Sequence, residues 1–99
     1  MFGKRKPTTP PADRYSAYVW ANGRLEITRR SMPDGAVLVA TGPRDALHEL
    51  ITPRVGHDSG GLRVPGMSAG LQQNECVEAL HHWMERLGRF NTNPEIKVI

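Results

Sequence analysis

Cysteine occurs once in the 99 residues, at Cys76. That excludes an internal disulfide framework and any zinc site built on several thiolates. Long apolar runs are also missing. The longest, Ala36 to Ala40, falls far short of the roughly 20 residues that span a bilayer. The leading segment MFGKRKPTTPPAD begins with basic residues, as a secretory signal does, but prolines and threonines stand where such a signal needs about 7–15 apolar residues. Together these gaps predict a cytoplasmic protein with no membrane partner. No segment repeats at the period of a solenoid.

The chain is rich in turn formers instead. Ten glycines and eight prolines in 99 residues exceed the average share of roughly 12% for the two types together. Loops therefore take a large part of a chain already short for more than one core. A hydrophobic fraction of 38% and a charged fraction of 23% still lie outside the range of disordered chains. One small folded domain is expected.

The formal charge of +3 is too small to diagnose a nucleic-acid binder unless it is concentrated. It is concentrated at the front. Residues 1–14 hold Lys4, Arg5, Lys6 and Arg14 against Asp13, so residues 15–99 carry nine basic and nine acidic side chains and sum to zero. With Pro7, Pro10 and Pro11 and almost no apolar residue, residues 1–14 read as a basic arm favouring extended or polyproline conformations, and residues 15–99 as a single domain. The Lys4-Arg5-Lys6 cluster is either an anchor for phosphates or an acidic protein surface, or a leader that keeps the chain in solution.

Asn22-Gly23 between Tyr15–Ala21 and Arg24–Arg30 is the favoured dipeptide of a two-residue type I′ turn. That turn places Trp20 opposite Leu25 and Tyr18 opposite Ile27, with Tyr18, Trp20, Leu25 and Ile27 toward the core. Tyr15, Ala17, Val19, Arg24, Glu26, Thr28 and Arg30 then share the outer face. Met32-Pro33-Asp34-Gly35 is turn chemistry, and Ala36–Ala40 a third strand. A helix is expected from about Pro43 to Ile51, capped by Thr41 or Gly42 and stopped before Pro53. Thr52–Gly61 is a polar loop, and Leu62–Val64 a brief edge strand. A longer helix starts between Ser68 and Gln72 and ends near Leu87, with Gly88 as its left-handed cap. Its apolar stripe is Cys76, Val77, Leu80, Trp83, Met84 and Leu87, opposite Glu75, Glu78, His82 and Glu85. Pro94–Ile99 alternates enough for a last strand. The sum is an α+β domain: a small, mainly antiparallel sheet, hairpin plus meander, with two helices on one face.

The candidate chemistry is thin. Cys76 with His81 or His82 as base fails on spacing, since residues five or six apart on a helix diverge, and Cys76 lies in the apolar stripe where a thiol is inert. Glu78 and His81 have the Glu-x-x-His spacing of di-iron bundles, but one such motif on one long helix is incomplete. Glu78 and His82, one helical turn apart, need further ligands such as His57 or Asp58 to hold a metal. Neither Gly-x-Gly-x-x-Gly, nor Gly-x-x-x-x-Gly-Lys, nor Gly-x-Ser-x-Gly occurs. No enzyme activity, cofactor or metal is expected.

Arginines beside aromatics are the stronger signal, because both are enriched where proteins bind protein carboxylates or nucleic-acid backbones. The expected contact residues are Lys4, Arg5, Lys6, Tyr15, Arg24, Arg29 and Arg30. The expected function is non-catalytic binding of another protein or protein complex by a monomer or weak homodimer. The alternative is a nucleic-acid-associated regulator using the arm and the hairpin arginines. In type, the small size and two-sided charge resemble phage- or plasmid-borne inhibitors of host complexes, anti-CRISPR proteins among them; the likeness is one of type and no motif carries it.

Overall fold

The computed structural model describes residues 14–29, 33–67 and 70–99. Six strands and two helices follow in the order β1 (Tyr15–Trp20), β2 (Leu25–Thr28), β3 (Ala36–Gly42), α1 (Arg44–Ile51), β4 (Gly56–Asp58), β5 (Gly61–Arg63), α2 (Gln73–Phe90) and β6 (Lys97–Val98). The main sheet is antiparallel throughout, in the order β2-β1-β3-β6, and β4 and β5 form a separate hairpin. The small α+β architecture expected from the sequence is the architecture observed.

The first hairpin turns at Asn22-Gly23 with a longer loop than the dipeptide suggests. Gly23 N–H donates to Trp20 O at 2.8 Å, and Trp20 N–H to Arg24 O at 2.9 Å, leaving three residues in the loop with Gly23 at φ +86°. A three-residue loop closed by a left-handed glycine is a common hairpin connection. Its register pairs Val19 with Leu25, Tyr18 with Glu26 and Ala17 with Ile27. A slip of one residue turns every side chain of a strand to the other face. The expected faces are therefore corrected: Tyr15, Ala17 and Val19 join Leu25 and Ile27 on the core side, and Tyr18 and Trp20 do not. Tyr18 is nonetheless buried, on the opposite face, across from Leu38 and Glu26.

β3 occupies the centre of the sheet beside β1. Its register against β1 shifts between Ala17 and Tyr18: Ala40 pairs with Ala17 but Leu38 with Tyr18, which leaves Val39 as an extra residue in a β-bulge. Val39 and Ala40 are both fully buried, as two successive bulge residues on one face would be. β6 adds to the far side of β3 through Ala40–Val98 and Thr41–Lys97.

The helices cover one face. Leu47 and Ile51 of α1 and Leu87 of α2 are almost wholly removed from solvent, with Leu50, Cys76, Leu80 and Trp83 beside them. Burial of such side chains stabilises by roughly 1.5–3 kcal/mol each. α1 begins one residue later than expected, because Gly42 stays in β3 against Ile96 and Pro43 keeps an extended ψ of 144° while its carbonyl accepts Leu47 N–H at 2.9 Å. α2 runs past Gly88 to Phe90, so Gly88 is a helical residue, not a cap. A Cβ at Gly88 would lie 4.0 Å from Val98 Cγ1, which places β6 against this last turn. The stripe is narrower than its sequence: Met84 is half-buried and Val77 is exposed.

The expected polar loop after α1 holds a single 3-10 turn at Thr52–Arg54 and then β4. The β4–β5 hairpin is tied by Arg63, whose Nε donates to Asp58 Oδ2 at 2.6 Å and whose Nη1 donates to Asn22 O at 3.0 Å. That second bond, with Val64 N–H to Gly23 O at 2.9 Å, fastens the small hairpin to the tip of the large one. No helix among the described residues is long and apolar enough to cross a membrane.

Candidate functional site

The expected contact residues fall into three groups. Lys4, Arg5, Lys6 and Arg30 lie outside the described residues. Tyr15 and Arg29 come together at one end of the sheet, with Arg29 Cζ 6.0 Å from the centre of the Tyr15 ring. Arg24 stands at the other end, its Cζ 5.9 Å from the Trp20 ring. Both separations are within reach of a cation–π interaction. By strand alternation Arg24 is on the outer face and Tyr15 on the core side, so the single outer patch of Tyr15 with Arg24 does not form.

Arg14, counted with the arm in the sequence, is fixed at the root of the sheet. Its Nη2 donates to Thr41 Oγ1 at 3.0 Å and its Nη1 to Glu95 O at 3.4 Å.

Trp20 is the residue the sequence placed wrongly and the structure makes prominent. It lies at the edge of a groove between the β1–β2 turn, the start of β3 and the first turns of α2, lined also by Val19, Val37, Met67, Leu71 and Val77. Val37 is 49% and Val77 47% exposed, so the groove is flanked by apolar side chains in water. Trp20 Nε1 is buried and meets no acceptor among the described residues. Met67 seals the inner end, close against Gly23. The signal in the sequence was the breadth of the α2 stripe: six apolar residues at helical spacing are more than the sheet beneath can cover.

The remaining candidates do not converge. Cys76 is buried in the core cluster, while His81 and His82 are exposed further along α2. Glu78 is exposed as well, and among the described residues no three His, Cys, Asp or Glu side chains meet in a way that would hold a metal ion. Asp58, a suggested helper ligand, is engaged by Arg63 and by the Gly60 N–H at 2.8 Å. These bonds set its acidity: the Gly60 donor chiefly, partly opposed by desolvation and assisted by Arg63, holds the carboxyl below its ordinary value.

No family model, curated protein or solved structure matches the chain.

Proposed function

We propose that the chain is a non-catalytic protein-binding module, of the kind by which small phage or plasmid proteins inhibit a host complex. Its partner segment would place an apolar side chain in the groove and an acidic one on Arg24. The observation that carries this reading is the apolar groove flanked by half-exposed Val37 and Val77, with the Arg24–Trp20 stack on the adjoining outer face at the same end of the sheet. Tryptophan and arginine dominate the binding energy of protein interfaces when grouped around a desolvated pocket. An acidic partner group would supply the charge complement of Arg24.

The alternative, a nucleic-acid regulator, needs cations along one track. Arg24 and Arg29 flank β2 and stand an odd number of residues apart, so strand alternation turns them to opposite faces, which favours the protein reading.

The test is capture of partners by the tagged chain from cells that carry its gene. The wild type should recover a protein that Arg24→Glu and Val77→Asp both lose while Arg89→Glu retains it. If all four forms recover the same proteins, the groove is not the contact surface. A shift of DNA or RNA mobility at physiological salt, abolished when Lys4, Arg5 and Lys6 are changed to alanine, would decide for the alternative.

A further inference from the structure

A second cleft lies on the other flank of α2, far in sequence from the Trp20 groove. It measures about 450 Å³ and is lined by Pro53, Arg54, Pro65, Trp83, Arg86 and Phe90, with two cationic side chains and no acidic one. That volume falls in the range of small-molecule sites. We propose that this cleft binds a small organic oxyanion carried on a flat ring, with Arg54 and Arg86 as its charge partners and Phe90 as its stacking surface.

Arg54 is the centre of the site. Its guanidinium donates one hydrogen bond, from Nη1 to Leu50 O at 2.7 Å, while its Nε is buried and bonded to nothing among the described residues. The ion pairs among the described residues are Arg63–Asp58 and Arg89–Glu85, so neither Arg54 nor Arg86 has a carboxylate partner there. A partly buried guanidinium without a counter-charge has given up hydration with little return, and an oxyanion accepting the Nη N–H groups that the Leu50 bond leaves over offsets that loss, the buried Nε staying out of its reach.

The same arginine is held in place before any ligand arrives. Phe90 lies on its face, with Cζ 4.3 Å from the ring centre, and Trp83 Nε1 donates to its carbonyl at 3.1 Å. Fixing the side chain in advance lowers the entropy lost on binding. Arg86 is one helical turn before Phe90 and lines the same cleft, adding a second cation to it. Phe90 is 49% exposed, an unusual position for a large apolar ring unless its free surface has a use. Pro53 and Pro65 give the cleft stiff apolar walls suited to a planar body.

A nucleoside monophosphate and an aromatic carboxylate share this chemistry, and probes separate them. The full-length chain is titrated with adenosine monophosphate, benzoate, inorganic phosphate and adenosine while the Trp83 indole N–H is followed by NMR, since its bond to Arg54 O reports on the cleft. Either of the first two should displace that signal saturably, with inorganic phosphate and adenosine weaker by about tenfold or more, as the loss of one charge-assisted contact requires. Arg86→Gln, on the exposed side of α2, should weaken binding about tenfold at unchanged melting temperature. No saturable displacement by either ring-bearing anion up to about 1 mM overturns the proposal. So does equal affinity for adenosine and its monophosphate, or equal affinity in Arg86→Gln.

Discussion

Gly23 is pressed against Met67: a Cβ at position 23 would stand 2.7 Å from Met67 Cβ, closer than two such carbons approach. The same glycine has φ +86°, in the left-handed region. Gly23→Ala therefore combines backbone strain with overpacking, and should lower unfolding free energy by about 2–4 kcal/mol. Gly61→Ala separates the two causes, because Gly61 has φ +107° but nothing within 4 Å of a new Cβ. It should cost only about 1–2 kcal/mol. Chemical denaturation of the two variants checks the difference, and equal losses would remove Met67 from the explanation.

Asp58 should titrate below the ordinary aspartate value of about 3.9, because Gly60 N–H and Arg63 both favour its ionised form. A depressed folded-state value contributes stability that is complete above the unfolded-state value and is lost as pH falls through the folded one. The β4–β5 hairpin should thus loosen only in strong acid. NMR titration of the Asp58 carboxyl, read beside the Gly60 amide, gives the midpoint. Arg63→Gln should raise it, though not to the ordinary value, since the Gly60 bond remains.

Leu87 is 1% exposed at the centre of the layer between α2 and the sheet. Leu87→Ala should destabilise by about 2–5 kcal/mol, the transfer loss plus the cost of a cavity. Val77→Ala on the same helix, at 47% exposure, should change stability by less than about 0.5 kcal/mol. The pair of thermal melts distinguishes the packed edge of α2 from its groove edge.

At the start of α2, Glu75 Oε1 accepts the Gln72 N–H at 2.9 Å, satisfying a donor that the helix leaves without an intrahelical partner. Glu75→Ala should cost about 0.5–1 kcal/mol, and Glu75→Gln less, since its amide oxygen still accepts. Faster amide exchange confined to the first turn is the expected signature.

Local chemistry made much of this fold legible. The apolar run of β3, the stop at Pro53 and the Cys76–Leu80–Trp83–Leu87 stripe all follow from neighbours a few residues away, and each element is present. The hairpin register did not follow, because Asn22-Gly23 suits loops of two and of three residues. The choice is tied to contacts with Arg63, Val64 and Met67, some forty positions along the chain. One slipped residue then misplaced Trp20, and with it the site. β4 was hidden for a similar reason: His57-Asp58 carries no apolar signal, and its strand form rests on the Arg63 bond. The Arg54 cleft joins the turn after α1, the start of β4, Pro65 and the second half of α2, which no single window of sequence displays.

The extra residue in β3 acts as a phase shifter between two uses of one strand. Beyond it, Ala40 and Gly42 are locked into scaffold against Ala17 and Ile96; before it, Val37 is brought level with Val19 and emerges in the groove. Were Val39 instead paired opposite Tyr18 in a regular ladder, Leu38 would stand opposite Val19 and Val37 opposite Trp20, on the far face. A single inserted residue thus lets the groove change its side chains while the other half of the strand keeps its own.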